Sequence, residues 1–392
     1  MIRFSKYVII GSVVLLSACK SKENSIGTNA ISVSSLLELR YAEMLKYPID
    51  SVSFPRSMSV KTGAIHKVPS KDWTSGFFPG NLWQLYRLTG NEDYKKRAEE
   101  WTVYMEKEKY NDKTHDMGFK VFCSFGEGLK VEDKQHYKDV VVKSAQTLST
   151  RFNEKVGAIR SWDFNRDIWE FPVIIDNMLN LELLFEATKI SGDSTFHNIA
   201  VKHANTTLKN HFRKDHSTYH VVVYDTITGL ATNKVTHQGI NNESSWARGQ
   251  SWAIYGYTMA YRYTKDKAYL TQAEATAGFF INHKNMPEDG IPYWDFNDPA
   301  IPKAPRDVSA ATVTASAMIE LYGFTKNKAY LNYANKVLNA LNTTNYVLPA
   351  SVKGPFILNH STGNWPKNDE IDEPIVYADY YYLEATLRKK AL

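Results

Sequence analysis

The most informative stretch of this sequence is Thr89-Gly-Asn-Glu-Asp-Tyr94-x-x-x-Ala98, because closely related stretches recur along the chain. Each copy is a short polar turn followed by an aromatic and a small residue four positions apart, which fall on one face of a helix. A helix therefore ends at each turn and another begins, so the repetition predicts helical hairpins. The other three copies are Ser191-Gly-Asp-Ser-Thr-Phe196-x-x-x-Ala200, Thr264-Lys-Asp-Lys-Ala-Tyr269-x-x-x-Ala273 and Thr325-Lys-Asn-Lys-Ala-Tyr330-x-x-x-Ala334.

The copies are too unevenly spaced for a solenoid of fixed period. A degenerate fifth copy centres on Tyr137, with Val141 in place of the small residue. Two further helices are predicted around residues 34–47 and 375–390, which brings the total to about twelve. We predict an all-α fold, an (α/α)6 barrel of six helical hairpins, with the active site in long loops at one rim. The candidate loops are rich in Gly, Pro, Trp and polar residues and cover 69–79, 110–119, 157–172, 211–251 and 285–307.

The N-terminus resembles a bacterial lipoprotein signal. Arg3 and Lys6 flank the start of an apolar run over residues 7–16. This run is too short to span a bilayer but has the length of a signal-peptide core. It ends in Leu16-Ser17-Ala18-Cys19, and small residues before a cysteine resemble a lipoprotein cleavage site. A plain secretory signal with an incidental cysteine is the alternative.

These features predict the organisation and the location of the protein. We expect a signal peptide over residues 1–18, a lipid on Cys19, a flexible tether over 19–32 and a single barrel domain over 33–392. The protein is then an exported lipoprotein of the bacterial cell envelope that contacts the membrane only through this lipid. No acidic cluster follows Cys19, which favours the periplasmic side.

Composition narrows the function less sharply. The net charge of +5 is modest and no basic block is present, so nucleic acid is not a predicted partner. After cleavage only Cys123 would remain besides the lipidated cysteine, so no internal disulfide is expected. The 24 Tyr, 18 Phe and 9 Trp can stack on sugars, but aromatic rings also fill cores and interfaces. Composition therefore leaves a carbohydrate ligand and the oligomeric state open.

A series of motifs falls largely on the predicted loops, in order from about Lys71 to Glu384. The motifs are Asp72-Trp73-Thr-Ser-Gly-Phe-Phe-Pro79-Gly80, His115-Asp116-Met-Gly-Phe119, Ile175-Asp176-Asn-Met-Leu-Asn180, His237-Gln238-Gly239, Trp246-Ala-Arg248-Gly-Gln250-Ser-Trp252-Ala-Ile-Tyr-Gly256, Pro292-Tyr-Trp-Asp295-Phe and Glu373-x-x-x-Tyr377-Ala-Asp379-Tyr380-Tyr-Tyr-Leu383-Glu384. One such motif could arise by chance, whereas the ordered series is specific. It resembles glycoside hydrolase family 88, the unsaturated glucuronyl hydrolases.

The resemblance implies a particular reaction and a substrate class. Family members act on oligosaccharides that polysaccharide lyases leave with a C4=C5 double bond in the terminal uronate, here expected to be of the glycosaminoglycan type. Protonation at C4 produces an oxocarbenium-like centre at C5, water adds there, and the hemiketal opens and expels the aglycone. The usual scheme of retaining and inverting glycosidases does not apply. The reaction requires a carboxylic acid that is protonated near neutral pH and can then act as a base toward water.

The resemblance implies Asp176 as this acid and Asp116 as a second carboxylate beside it. Asp176 lies in the apolar stretch 171–185, which we predict to be a helix with Pro172 near its start. Desolvation there raises a carboxyl pKa, the helix dipole lowers it, and a neighbouring carboxylate raises it further. The alternatives are a buried cap or ion-pair role for Asp176 and a turn aspartate before Gly118 for Asp116.

The resemblance also implies which side chains bind the sugar. Arg248 can hold the substrate carboxylate with two parallel hydrogen bonds, and a helix-end salt bridge is the alternative. His220 lies in the segment 217–224, which is predicted to be extended, and could instead be a core histidine. His115, His237 and Gln250 could each contact the substrate or belong to the scaffold. The other expected contact is Gln238, with Trp73, Trp246 and Trp252 as stacking faces or core residues.

Other chemistries find little support. No HExxH, paired CxxC, carboxylate-rich metal loop or Gly-rich phosphate cradle occurs, so neither a metal nor a cofactor is predicted. The Gly-x-Ser-x-Gly elbow is also missing. An unsaturated rhamnogalacturonyl hydrolase is one alternative, although Arg248-Gly-Gln250-Ser-Trp252 differs from the Arg-Gly-Asn-Gly-Trp expected there. A non-catalytic glycan-binding lipoprotein is another, and the presence of both Asp116 and Asp176 argues against it.

Sulfate recognition is left open by the sequence. Some family members that accept sulfated sugars carry a Ser-x-x-Ser-x-Lys run in the last inter-helix loop. The corresponding stretch is Ser361-Thr-Gly-Asn364-Trp-Pro366-Lys367, which departs at two of the three positions. Lys367 and Lys353 are the remaining candidates to meet a sulfate.

Overall fold

Helices dominate this computed structural model, which describes Met1 and residues 32–392. Within that part of the chain we number twelve helices in order. They are α1 (Val33–Lys46), α2 (Phe77–Thr89), α3 (Glu92–Val103), α4 (a π-helical stretch Gly118–Gly126 continued by Glu127–Leu129), α5 (Gln135–Ser149), α6 (Asn177–Ser191), α7 (Ser194–Asn210), α8 (Ala247–Thr264), α9 (Lys267–Asn282), α10 (Val308–Thr325), α11 (Lys328–Leu341) and α12 (Val376–Lys390).

The repeated polar turns join these helices through local hydrogen bonds. After α2, Gly90 adopts a left-handed φ of 73°, the Thr89 hydroxyl accepts from the Asn91 N–H, and the Asn91 side chain accepts from the Asp93 N–H at 2.9 Å. An Asn or Asp in this position satisfies an N–H that the helix itself leaves unpaired. The turns after α6, α8 and α10 repeat the pattern with Asp193, Asp266 and Asn327 as caps.

The aromatic and small residues of each copy pack the second helix of a hairpin against the barrel. All of them are buried, with at most 6% of their surface exposed: Tyr94, Phe196, Tyr269, Tyr330, Ala98, Ala200, Ala273 and Ala334. The degenerate copy in α5 behaves alike, because Tyr137 and Val141 are also buried. The repeat therefore encodes both the turn and the packing that follows it.

The inner helices close into a ring. α2, α4, α6, α8, α10 and α12 each contact the next, and α12 returns to contact α2. The outer helices pack on this ring as hairpin partners, α3 on α2, α5 on α4, α7 on α6, α9 on α8 and α11 on α10. This arrangement is the (α/α)6 barrel that the sequence predicts, and residues Val33–Leu392 form one compact unit.

Short antiparallel strand pairs lie in the long connections at the N-terminal ends of the inner helices. They are β1 (Phe54–Met58) with β2 (Ile65–Val68), β3 (Phe152–Asn153) with β4 (Ala158–Ile159), β5 (Pro172–Ile174) with β6 (Val221–Tyr224) and β7 (Ala231–Val235), and β8 (Ser361–Asn364) with β9 (Asp369–Glu373). The extended conformation predicted for residues 217–224 is confirmed by β6.

One local prediction is wrong. The stretch 171–185 is not one helix with Pro172 near its start, because Pro172 begins strand β5 and pairs with Val223 of β6. β-branched residues favour a strand here, and proline is tolerated as the first residue of a strand. Helix α6 begins only at Asn177, so Asp176 still lies at a helix start.

Residues 2–31 lie outside the described part of the chain, so the predicted signal peptide, the lipidation of Cys19 and most of the tether stay predictions. Among the residues that are described, no helix combines the length and the apolar character that crossing a membrane requires.

The hairpin caps give a test of how the fold is encoded. Asn327→Ala removes the acceptor that pairs with the Ala329 N–H at 3.0 Å, and loss of an N-cap costs about 1 kcal/mol. We expect the urea midpoint to fall accordingly, whereas Asn327→Asp, which keeps an acceptor, should stay close to the unmodified protein. Equal midpoints for the alanine and aspartate variants would contradict a capping role.

Candidate active site

A cavity of about 540 Å³ opens where the inner helices begin. Side chains at or just before the starts of α4, α6 and α8 line it, so the positive ends of these helix dipoles lie close to the space. The following side chains line the cavity: Arg56, Trp73, Lys113, Thr114, His115, Asp116, Phe119, Ser161, Trp162, Asp163, Phe164, Ile174, Asp176, His220, His237, Gln238, Arg248, Asn364, Lys367 and Asp369. Seven of the ten predicted catalytic and binding residues are in this group.

Asp176 lies at the base of the cavity, directly before α6, and only 15% of its side chain is exposed. Burial raises the pKa of this carboxyl to about 7. The Arg248 guanidinium and the Trp252 indole N–H act against the rise, whereas the charge of Asp116 adds to it. Desolvation is the largest cause, so the carboxyl can hold a proton at neutral pH.

Asp116 belongs to the same cavity and is fixed by its neighbours. The Thr114 hydroxyl donates to Asp116 Oδ2 at 2.7 Å, and His115 Nε2 lies 3.2 Å from Asp116 Oδ1. Burial lowers the pKa of His115. The charge of Asp116 raises the pKa of Asp176, so the two residues lie close together although 60 positions separate them in the sequence. From the sequence, this proximity is implied only by the resemblance to the family.

His220 faces Asp176 in a defined tautomer. Its Nδ1 accepts hydrogen bonds from the backbone N–H groups of His237 and Gln238, at 3.0 and 3.1 Å. The proton of the neutral ring is therefore on Nε2, which lies 3.7 Å from Asp176 Oδ2. Burial lowers the pKa of His220 well below its usual value, so the ring is neutral. His220 thus presents an N–H donor beside the candidate acid.

Arg248 lines the cavity, but its fork is already occupied. Nη1 donates to Asp307 Oδ2 at 2.6 Å and to the Thr362 carbonyl at 2.7 Å, and Nη2 donates to the Gly363 carbonyl at 2.5 Å. Nη2 also lies 3.3 Å from the Gln238 side-chain oxygen, which leaves the Gln238 amide N–H groups as donors for the cavity. Both terminal nitrogens of Arg248 are thus hydrogen-bonded within the protein, and its contact with the substrate carboxylate stays a prediction.

Three other predicted contacts lie behind the cavity wall instead of on it. Gln250 is fully buried and bonds the Thr218 N–H at 2.7 Å, so it belongs to the scaffold. Trp246 packs against the His220 ring at 4.8 Å and under the Arg248 guanidinium at 4.6 Å. Trp252 is buried beside Asp176. These residues position the cavity-lining side chains and offer no open stacking face, whereas Trp73 and His237 do line the cavity.

The structure adds cavity residues that sequence reasoning missed. Trp162 and Phe164 form a parallel pair with centroids 5.0 Å apart, and Phe164 is 48% exposed. Both lie in the insertion 157–172, whose aromatic content was a usable signal. Arg56 also reaches the cavity, held by Glu370 at 2.7 and 2.8 Å. Nothing in the local sequence around Arg56 reveals this partner, which is 314 positions away.

Chemically, the cavity combines a carboxyl with a raised pKa, a neutral histidine donor, a second carboxylate and aromatic faces beside several helix N-termini. A model of Glycosyl Hydrolase Family 88 matches residues 53–283. An unsaturated glucuronyl hydrolase of Formosa agariphila is 62% identical over 98% of this chain and 97% of its own length. The chain belongs to glycoside hydrolase family 88. The family and the glycosidase class predicted from the sequence are thereby confirmed.

Other family 88 members extend the likeness. An unsaturated chondroitin disaccharide hydrolase of Streptococcus agalactiae is 31% identical over 83% of each chain. A solved unsaturated glucuronyl hydrolase described as specific for heparin superposes with a TM-score of 0.88 at 43% identity, covering 92% of this chain and 97% of its own. The barrel fold is thus shared with solved relatives over nearly the whole described chain.

The raised pKa of Asp176 predicts a stability difference that depends on pH. The unfolded chain releases this proton near the ordinary value of 3.8, whereas the folded protein holds it to about pH 7. The folded state therefore loses stability through this group as pH rises across that window, and the loss is complete above it. Asp176→Asn removes this loss of stability, because an asparagine side chain does not release a proton in this pH range.

We expect Asp176→Asn to raise the melting temperature relative to the unmodified protein at pH 8 and to lose most of that advantage at pH 4. Thermal unfolding followed by circular dichroism at both pH values measures the difference. A gap of the same size at both pH values would show that Asp176 titrates normally in the folded protein.

Proposed function

We propose that the cavity binds the unsaturated terminal uronate of an oligosaccharide and that Asp176 hydrates its C4=C5 double bond. The chain is an unsaturated glucuronyl hydrolase, as the sequence predicts, and neither the rhamnogalacturonyl hydrolase nor the glycan-binding alternative is favoured. The observation that carries the proposed mechanism is a carboxyl with a pKa of about 7 at the base of the cavity.

In the proposed first step, the Asp176 carboxyl donates its proton to C4 and the double-bond electrons form the new C4–H bond. The resulting positive charge is shared between C5 and the ring oxygen. A carboxylic acid whose pKa is close to the working pH is suited to this transfer, because it is both protonated and acidic enough to donate. The neutral His220 Nε2–H lies 3.7 Å from Asp176 Oδ2, which is longer than a hydrogen bond, so it favours the carboxylate that is left only as a nearby dipole.

In the second step, the Asp176 carboxylate takes a proton from a water molecule as the water oxygen bonds to C5. The acid is thereby regenerated, and the C5 hemiketal opens to a ketone at C5 and a hemiacetal at C1, which expels the aglycone. Asp116, held by Thr114 and His115, supports the protonated state of Asp176 before the reaction. Its negative charge also favours the cationic intermediate.

The proposed substrates are lyase products of acidic polysaccharides of the glycosaminoglycan type. Relatives are described as specific for heparin in one case and as chondroitin disaccharide hydrolases in another. Helix N-termini around the cavity favour an anionic sugar, and the Gln238 amide can donate to its carboxylate. Trp73, Trp162 and Phe164 supply apolar faces for the rings.

The loss of ultraviolet absorbance from the conjugated double bond tests this proposal. We expect the purified chain to remove the absorbance of unsaturated disaccharides from a panel of sulfated and unsulfated glycosaminoglycans. Asp176→Asn should lower kcat by at least about 10²-fold, because general acid–base catalysis contributes that much or more. In the unmodified enzyme, kcat/KM should fall as pH rises through about 7, when Asp176 loses its proton.

Asp163→Asn is the matched control, because Asp163 lines the same cavity but is paired with Arg151 and Arg160. Although burial acts against it, these arginines lower the pKa of Asp163, so it is not an acid at neutral pH. If both aspartate variants lose activity equally, Asp176 has no special role. If the unmodified chain binds the panel without changing its absorbance, the hydrolase mechanism fails for those sugars.

We further propose that the enzyme is an exported lipoprotein anchored through Cys19 and facing the periplasm. The support is the basic start, the short apolar run and the Leu16-Ser17-Ala18-Cys19 site of the sequence. Cells grown with labelled palmitate should yield a labelled protein in the membrane fraction, and Cys19→Ala should abolish the label. A labelled Cys19→Ala variant, or an unmodified protein without label, would exclude this anchor.

A further inference from the structure

The hairpin formed by β8 and β9 reaches the cavity mouth with its tip. A short 3-10 turn, Trp365–Lys367, joins the two strands. Asn364 and Lys367 on either side of Trp365 both line the cavity. The tip therefore borders the opening through which the rest of an oligosaccharide must leave when its terminal uronate lies beside Asp176.

Two arginines fix the hairpin to the barrel. Arg56 holds the Glu370 carboxylate with two hydrogen bonds, at 2.7 and 2.8 Å. On the other strand, Arg248 donates to the carbonyls of Thr362 and Gly363, at 2.7 and 2.5 Å. The side chain of Glu370 is only 1% exposed, so this pair is shielded from solvent. The tip is thus held in one place instead of moving as an ordinary surface loop.

The backbone of the hairpin also departs from ordinary conformations. Asn368, Glu370 and Asp372 have φ values of 52°, 54° and 61°, in the left-handed region that residues other than glycine rarely occupy. Such conformations persist where the surrounding contacts enforce them, and they are common at ligand clamps. The hydrogen bonds to the strands and the enforced backbone together indicate that the hairpin tip is held in one defined position.

Trp365 presents an open aromatic face on this tip. Its ring stacks on Trp294, with centroids 5.4 Å apart and planes 23° from parallel, yet 36% of Trp365 is exposed. Trp294 beneath it is 1% exposed, and its indole N–H donates to Asp298 at 2.5 Å. The Trp294 carbonyl accepts from the Ala247 N–H at the start of α8, so the lower ring belongs to the barrel. The exposed part of the Trp365 ring is thereby held in place next to Asn364 and Lys367, which line the cavity, whereas Trp365 itself lies outside the lining.

We propose that Trp365 is a stacking platform for a sugar of the leaving oligosaccharide, beyond the sugar that is bonded directly to the unsaturated uronate. This inference rests on the proposed function of the cavity. A rigid aromatic face gives contact area without the loss of side-chain freedom that a mobile side chain would suffer. Lys367, on the same turn, offers a positive charge to an acidic group of the same sugars. The enzyme should therefore favour longer unsaturated oligosaccharides over disaccharides.

The test compares an unsaturated disaccharide with an unsaturated tetrasaccharide of the same polymer, for the unmodified enzyme and for Trp365→Ala. The measured quantity is the ratio of kcat/KM for the tetrasaccharide to kcat/KM for the disaccharide. We expect this ratio to fall about three- to tenfold in Trp365→Ala, the range of one aromatic contact. The change should appear in KM, because a remote contact binds substrate and transition state alike. Trp365→Phe, which keeps a flat ring, should retain most of the preference.

A ratio that changes by less than twofold in Trp365→Ala would overturn the platform. If both substrates then lose activity in equal proportion, Trp365 only supports the hairpin. Failure of the proposed function is a separate outcome, since the unmodified enzyme would then remove the absorbance of neither substrate.

Discussion

The buried ion pair between Arg248 and Asp307 is the interaction on which the site depends. It joins the start of α8 to the cap of α10, and the same guanidinium holds the carbonyls of Thr362 and Gly363 in the last hairpin. Because Asp307 balances the charge of Arg248, the nearby Asp176 is not drawn into an ion pair of its own. An unbalanced arginine at that position would favour ionised Asp176 and remove the proton that the chemistry needs.

Two buried carboxylates show what selects the protonation state. Near the end where the inner helices finish, Arg262 pairs with Glu182 and Glu320, and its charge holds the pKa of Glu182 at about 2 despite burial. In the cavity, Asp176 is buried without such a partner, and its pKa is raised to about 7. Burial alone does not select the protonation state; the presence or absence of a cation at hydrogen-bonding distance does.

The architecture separates the support of the chemistry from the contacts with the substrate. The ring of inner helices and the buried side chains of Gln250, Trp246 and Trp252 support Asp176 and His220 from behind the cavity wall. The inter-helix connections supply exposed aromatic surfaces, such as Phe164 and the hairpin tip at Trp365. The barrel thus fixes the acid, whereas its connections carry the side chains that a substrate would meet.

The helical hairpins can be predicted from the sequence alone, because their signals are local. A cap residue such as Asn327 bonds an N–H only two positions away, and the aromatic that follows packs through the helical period. The ordered motifs likewise identified the family and seven of the side chains that line the cavity, including Asp176 and Asp116. The local signal gave a wrong prediction at Pro172, where a helix and a strand compete. Pairing with strand β6, some 50 positions later in the chain, favours the strand there.

Which motif residues face the cavity depends on contacts between distant parts of the chain. Arg248 and Thr362 are 114 positions apart, and Arg56 and Glu370 are 314 apart, so no local pattern encodes their bonds. Gln250 and Trp252 share a motif with Arg248, yet Gln250 points to another face of α8 and Trp252, one turn further along the helix, is buried in the core. The raised pKa of Asp176 depends on desolvation by all the elements that meet around it. That environment is a property of the closed ring, and it exists only after the chain has folded.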